Sequence, residues 1–244
     1  PCVNTSSSGA PITAPAPSNL RPGTIQTMQR RGLFITVEGG EGVGKSTNMA
    51  FLETHLTERG VALEVTREPG GTRLGEDIRE LLLAPRGEAV DPMSELLMIF
   101  AARAQHISER IEPALAAGKW VLCDRFTDAT YAYQSGGRGL DAGAVRALEQ
   151  LVQGLLRPDY TLLLDAPVET GMQRALDRGE LDRFEQEQLD FFQRVRQTYL
   201  QLAEQSSGRF RVIDASQPLE GVQQQMLKVC RELLACWDVR RREA

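Results

Sequence analysis

Directly after the apolar run Leu33-Phe34-Ile35-Thr36-Val37, the chain reads Gly39-Gly40-Glu41-Gly42-Val43-Gly44-Lys45-Ser46. The spacing is G-x-x-x-x-G-K-S, placed between an apparent strand and an apparent helix as that pattern requires. Glycines let successive backbone N–H groups turn inward as an anion nest, and the helix begun near Lys45 points its positive end at the same spot. An ordinary glycine-rich turn would explain neither the Lys-Ser pair nor the strand before it. The pattern predicts a bound nucleoside triphosphate, with Lys45 on its outer phosphates and Ser46 on Mg²⁺.

At 244 residues the chain is long enough to bury a proper core in one large domain or two small ones. A net charge of −5 and a pI near 5.3 argue against a general nucleic-acid or anionic-membrane surface, so acidic ligands must be met locally. Cys2, Cys123, Cys230 and Cys236 lack ligand spacing, and His55 and His106 lie far from them, which argues against a metal-thiolate site. Cys123 reads as a core thiol in a reducing compartment. No apolar run reaches bilayer length. Residues 1–31 are rich in Ser, Pro, Thr and Ala without a hydrophobic period, and read as a disordered arm. It is not a secretory signal; a targeting peptide and a gene-start or cloning artefact stay open, Met28 being a natural start. Residues 239–244 read as a charged, solvated tail.

After the loop a helix is expected to Gly60, then strands at 61–65, 120–123, 160–164 and 210–213, with helices at 74–83 and from about 92 to 117. Short strands with little polar alternation, separated by helical stretches, predict a parallel sheet covered on both faces. No linker, repeat or second core is visible, so 32–238 reads as a single α/β domain. Its expected form is a three-layer α/β/α architecture of phosphate-loop NTPase type with a five-stranded parallel sheet.

Strand ends are where ligands of such sheets gather. Asp124-Arg125 follows the third strand; Asp124 there suits Mg²⁺, and the Arg125 guanidinium can grip a second phosphate, a surface ion pair being the alternative. Arg79 and Arg103 fall on predicted helices and could converge on an anion or merely snorkel over apolar surface. The charged run Arg174 to Arg183, interrupted by Gly179, is either a mobile cover about 174–187 that closes over a transferring phosphoryl group or a solvated helix-turn-helix. Guanine-reading and protein-kinase patterns are absent.

Taken together, the loop with Glu38 before it, Thr66-Arg67-Glu68-Pro69-Gly70-Gly71-Thr72, Asp124-Arg125-Phe126, Thr130-Tyr131-Ala132-Tyr133-Gln134 and Arg178-Gly179-Glu180-Leu181-Asp182-Arg183 closely resemble thymidylate kinase from about Leu33 to Trp237. The resemblance implies ATP-dependent phosphorylation of dTMP to dTDP, supplying dTTP for DNA synthesis. It implies ATP held by Gly39, Gly40, Glu41, Gly42, Val43, Gly44, Lys45, Ser46, Thr47 and Arg178, with Asp214 to Pro218 bordering adenine. Glu41 would hold the sugar 3′-hydroxyl, Arg79 and Arg125 the monophosphate, with Glu68 and Pro69 beside them. Arg103, Thr130 and Gln134 would read the base, and Tyr131 would crowd a ribose 2′-hydroxyl. As in the bacterial type, the loop lacks a basic residue and the lid supplies Arg178, catalytic with Lys45, Arg125 and Glu41. Mg²⁺ would sit on Ser46 and Asp124. An aromatic ring usually stacks on thymine four residues before the arginine matching Arg103; that position is Ile99, and Phe100 is the neighbouring candidate. A cytoplasmic homodimer joined partly through the Leu96 to Ile107 tract is implied, with no nucleic-acid or membrane partner. Another nucleoside monophosphate kinase, a deoxynucleoside kinase and a non-catalytic nucleotide switch are the rival readings.

Overall fold

Five short runs, β1 (Phe34–Glu38), β2 (Leu63–Arg67), β3 (Trp120–Asp124), β4 (Tyr160–Asp165) and β5 (Phe210–Asp214), pair into a parallel sheet in the order β2-β3-β1-β4-β5. The computed structural model describes residues 31–85, 87–178, 183–185, 187–206 and 208–242. The arm to residue 30, Arg86, Gly179 to Asp182, Gln186, Ser207, the last two residues, and the side chains of Arg178 and of 239–242 lie outside that description.

Helices connect the strands: α1 (Lys45–Thr57), α2 (Arg73–Leu83), α3 (Pro92–His106), α4 (Thr127–Thr130), α5 (Ala142–Gln153), α6 (Val168–Arg178), α7 (Leu189–Gln205) and α8 (Leu219–Arg242). The predicted helix from 92 to 117 is present but not uniform. Past His106 it widens into a π turn over Ile107–Ile111 and resumes at Glu112–Ala116. α4 likewise passes into a π-helical stretch, Tyr131–Gly137.

Because β1 is buried along its whole length, its alternate side chains enter two different cores. Leu33, Ile35 and Val37 pack with Leu52 and Leu56 of α1 and with Met226 and Leu233 of α8. Phe34 faces the other way, onto Ile111, Leu115 and Phe126. Farther along that second face, Leu163 and Phe210 meet Tyr133, Phe191 and Tyr199. One helical layer therefore lies on each side, giving the expected three-layer phosphate-loop architecture. Caps sharpen two of the starts that matter for the site. Thr72 accepts from the Gly75 amide ahead of α2, and Asp91 accepts from Met93 and Ser94 ahead of α3. Both helices thus begin at defined points and run beside the carboxyl ends of β2 and β3.

Candidate active site

The turn after β1 has the left-handed backbone that its glycines allow. Gly42 has φ +65°, and a Cβ there would lie 1.8 Å from the Gly171 carbonyl oxygen, so only glycine fits. α1 begins at Lys45, whose Nζ donates to the carbonyls of Gly39 at 3.2 Å and Gly40 at 2.7 Å. Burial, then the positive charge of Arg125, lowers the Lys45 pKa. Ser46 and Asp124 line one open cleft beside the loop, together with Thr66 and Glu76. Asp124 Oδ1 is buried without a hydrogen-bond partner. An oxygen acceptor left this way beside a serine hydroxyl suits a hard divalent cation.

On the far side of the loop, a cavity opens against the ends of β1, β2 and β3. Glu41, Glu68, Pro69, Arg79, Ile99, Arg103, Arg125, Phe126, Thr130, Tyr133, Gln134 and Phe184 line it, with Leu82, Leu83 and Ala129. Glu41 belongs to the phosphate loop yet accepts, at Oε1, from Arg125 Nη2 at 2.7 Å and the Tyr133 hydroxyl at 2.6 Å. The loop and the cavity therefore share a side chain.

Arg125 carries φ +69°, the single positive φ of a non-glycine among the described residues. Such a backbone costs roughly 1–2 kcal/mol and persists only where its surroundings enforce it. Glu38 is the enforcing group: it is fully buried, accepts the Phe126 amide at 2.7 Å, and accepts the Tyr199 hydroxyl at 2.9 Å. Arg125 itself donates to the Gly39 carbonyl at 3.0 Å and lies 4.7 Å over the Tyr133 ring. Burial opposes its charge, but Tyr133, Glu41, Tyr199 and Asp124 prevail and push its pKa well up. Arg79 donates to the Pro69 carbonyl at 3.0 Å; burial and then Arg67 lower its pKa.

Arg103 is buried between the rings of Phe100 and Phe126, 4.7 and 4.9 Å from their centroids. It donates through Nε to Glu68 Oε2 at 2.7 Å and through Nη2 to Thr130 Oγ1 at 3.0 Å. Its Nη1 is buried with no partner, a donor reserved for something in the cavity. His106, one helical turn on, donates through Nδ1 to Glu68 Oε1 at 2.9 Å, while its Nε2 meets the Thr66 hydroxyl at 2.6 Å.

The sequence model described as thymidylate kinase matches residues 37–226. The chain belongs to the thymidylate kinase family. A protein of Alcanivorax borkumensis named thymidylate kinase is 58% identical over 204 residues, covering 84% of this chain and 98% of that protein. Its namesake in Pseudomonas syringae pv. tomato is 60% identical over 203 residues, covering 83% and 97%. The crystal structure of thymidylate kinase from Ehrlichia chaffeensis superposes with a TM-score of 0.66 at 35% identity, covering 82% of this chain and 99% of that one. The protein is accordingly a nucleoside monophosphate kinase with an ATP-binding phosphate loop.

Two of the side chains expected near the acceptor, Tyr131 and Phe100, do not line this cavity. The Tyr131 hydroxyl donates to Glu149 Oε2 at 2.6 Å. Tyr133 takes the place facing Glu41. Phe100 is also turned away, packed with Leu96 and Val145 beneath Arg103, whereas Ile99 faces the cavity. The reason is helical phase. Positions three and four apart share a face, so 133 and 134 follow 130, and 103 follows 99, while a neighbour is rotated by about 100°. The same periodicity singles out Glu95, His106 and Tyr133, which local motifs did not. Phe126, Phe184 and Tyr199 had no comparable signal. Arg178 closes α6, and its side chain is outside the described residues.

Burial, reinforced by Asp128, raises the Glu38 pKa from 4.5 to about 8, against the pull of Arg125 and its two hydrogen bonds. A raised carboxyl pKa means the fold retains a proton that the unfolded chain has lost. The stability it contributes is complete below pH 4.5 and disappears as pH rises through about 8. Glu38→Gln, neutral throughout, is expected to lose less stability than the wild type over that window. Urea midpoints taken across it test this, and parallel curves for the two proteins would refute it.

Proposed function

We propose that this chain performs its family's reaction, transfer of the terminal phosphoryl group of ATP to dTMP to give dTDP, using the residues that meet around the loop. The observation that carries the reading is Glu41, which sits in the phosphate loop and is hydrogen-bonded inside the neighbouring cavity. A loop shared in this way sets donor and acceptor side by side. The glycine loop, Lys45, Ser46 and Thr47 hold the triphosphate; Arg79 and Arg125 take the acceptor phosphate; Glu41 takes the sugar hydroxyl. Arg103, Thr130 and Gln134 read the base, and Ile99 contributes an apolar wall. Glu68 and Pro69 brace Arg103 and Arg79 from behind.

Ser46 and Asp124 are the residues that would hold Mg²⁺, which would supply neutralisation of the phosphate charge. The acceptor phosphate is largely ionised near neutral pH, so no strong general base is required. Positioning and charge neutralisation carry the rate, through Lys45, Arg125 and Arg178. The working unit is the domain 32–238, with the arm 1–31, a cover about 174–187 and the tail 239–244 as appendages, in a cytoplasmic enzyme. Among the described residues no helix is long and apolar enough to cross a membrane.

ADP release measured with ATP and a panel of dTMP, dUMP, dCMP and thymidine is expected to be fastest with dTMP; greater activity on another acceptor overturns the assignment. Arg178→Ala is expected to lower kcat by about a hundredfold or more while dTMP affinity changes little. Equal losses in both would remove Arg178 from the transfer step. The reading also includes a homodimer, supported by Met93 and Leu97 of α3 beside Leu74 and Leu81 of α2, all large apolar side chains exposed on adjacent helices. Leu97→Glu is expected to shift the protein toward monomer in sedimentation equilibrium; an unchanged mass would place the interface elsewhere.

A further inference from the structure

Glu95 is a carboxylate with no exposed surface, one turn before Ile99 on the face of α3 that carries Arg103. It does not line the cavity. Its Oε1 accepts from Gln134 Nε2 at 2.9 Å and Arg138 Nε at 3.3 Å; its Oε2 accepts from Arg183 Nη2 at 2.5 Å and Arg138 Nη2 at 3.4 Å. A carboxylate facing two guanidinium groups offers acceptors alone. The NH₂ end of the Gln134 amide must therefore turn toward it. Gln134 is 2% exposed and lines the cavity, and its Oε1 has no partner among the described residues. The end left for a ligand is a carbonyl oxygen.

We propose that Glu95 fixes which end of the Gln134 amide meets the acceptor base, and thereby selects a base with an N–H at position 3. The proposal rests on the reading of Gln134 as a base contact. Together with the unpartnered Arg103 Nη1, the wall presents one donor and one acceptor. Thymine and uracil match it with a carbonyl O4 and an N3–H. Cytosine opposes it at both places, turning an amino group toward the guanidinium and a bare N3 toward the carbonyl. Buried polar groups left unpaired in this way are costly, which makes the mismatch a means of rejection. Glu95 touches no substrate; it is a positioning residue acting through Gln134.

Glu95→Gln supplies the test. The two arginines would draw the new amide oxygen to themselves, and its NH₂ would then face Gln134. That forces the Gln134 amide to rotate and present N–H to the base. The ratio of kcat/KM for dTMP to that for dCMP is expected to fall by about tenfold or more, with dCMP losing less than dTMP or gaining. Equal loss for both acceptors overturns the proposal. Gln134→Leu serves as the reference: an unchanged ratio there means Gln134 does not read the base, and the underlying assignment fails instead. Arg138→Gln and Arg183→Gln disturb Glu95 while keeping its bond to Gln134, so they are expected to leave the ratio unchanged whatever happens to turnover. Should Glu95→Gln not fold, those two variants decide the matter. A ratio shifted as far as in Gln134→Leu would show that general packing sets the choice.

Discussion

Glu38 holds the amide of Phe126 and the hydroxyl of Tyr199 inside a dry core at the end of the central strand. A carboxyl buried so deeply is expensive unless its oxygens are engaged, and here both are. The consequence is geometric. The Phe126 amide anchors the turn in which Arg125 takes a positive φ, and that turn swings the guanidinium back across the sheet to Gly39 and Glu41. Tyr199 lies 3.4 Å from the same guanidinium. Phosphate loop, β3 turn and α7 are thus tied to one another through a few polar atoms.

Electrostatics explains why an acidic protein can bind two highly charged anions. The net charge is −5, yet positive side chains crowd the cavity in the form of Arg79, Arg103 and Arg125. Each is held by backbone carbonyls or buried carboxylates that fix its direction without filling its full donor capacity. Arg103 is the plainest example, with two of its nitrogens engaged and Nη1 left over. The charge is local, aimed and partly desolvated, which makes it stronger than the same charge on a wet surface.

The five strands were legible because buried parallel strands are short unbroken apolar runs, and the loop was legible because its backbone geometry admits few alternatives to glycine. Motifs at strand ends located Arg125, Asp124 and Glu68 for the same reason: a strand fixes where its next residues emerge. Side chains on helices were harder. Tyr131 and Tyr133 differ by two positions in one motif, and helical phase, not residue type, separates the one facing Glu149 from the one facing Glu41. The helices α5 and α7 left no motif at all, since most of what they contribute is packing, as with Phe191 and Val195, and single polar contacts such as that of Tyr199 have no local pattern. Partnerships such as Glu38 with Tyr199 and Glu95 with Arg183 join distant segments, and local pattern carries no information about them.

That Tyr199 reaches Glu38 across 161 residues of sequence also bears on how the protein is made. β1 and the phosphate loop leave the ribosome early, but the hydroxyl that completes the Glu38 pair is synthesised only after four of the five strands. Until then the carboxyl has half its partners and every incentive to stay in water. The nucleotide loop is thus written long before the contact that completes its support, a delay imposed by topology and not by local propensity.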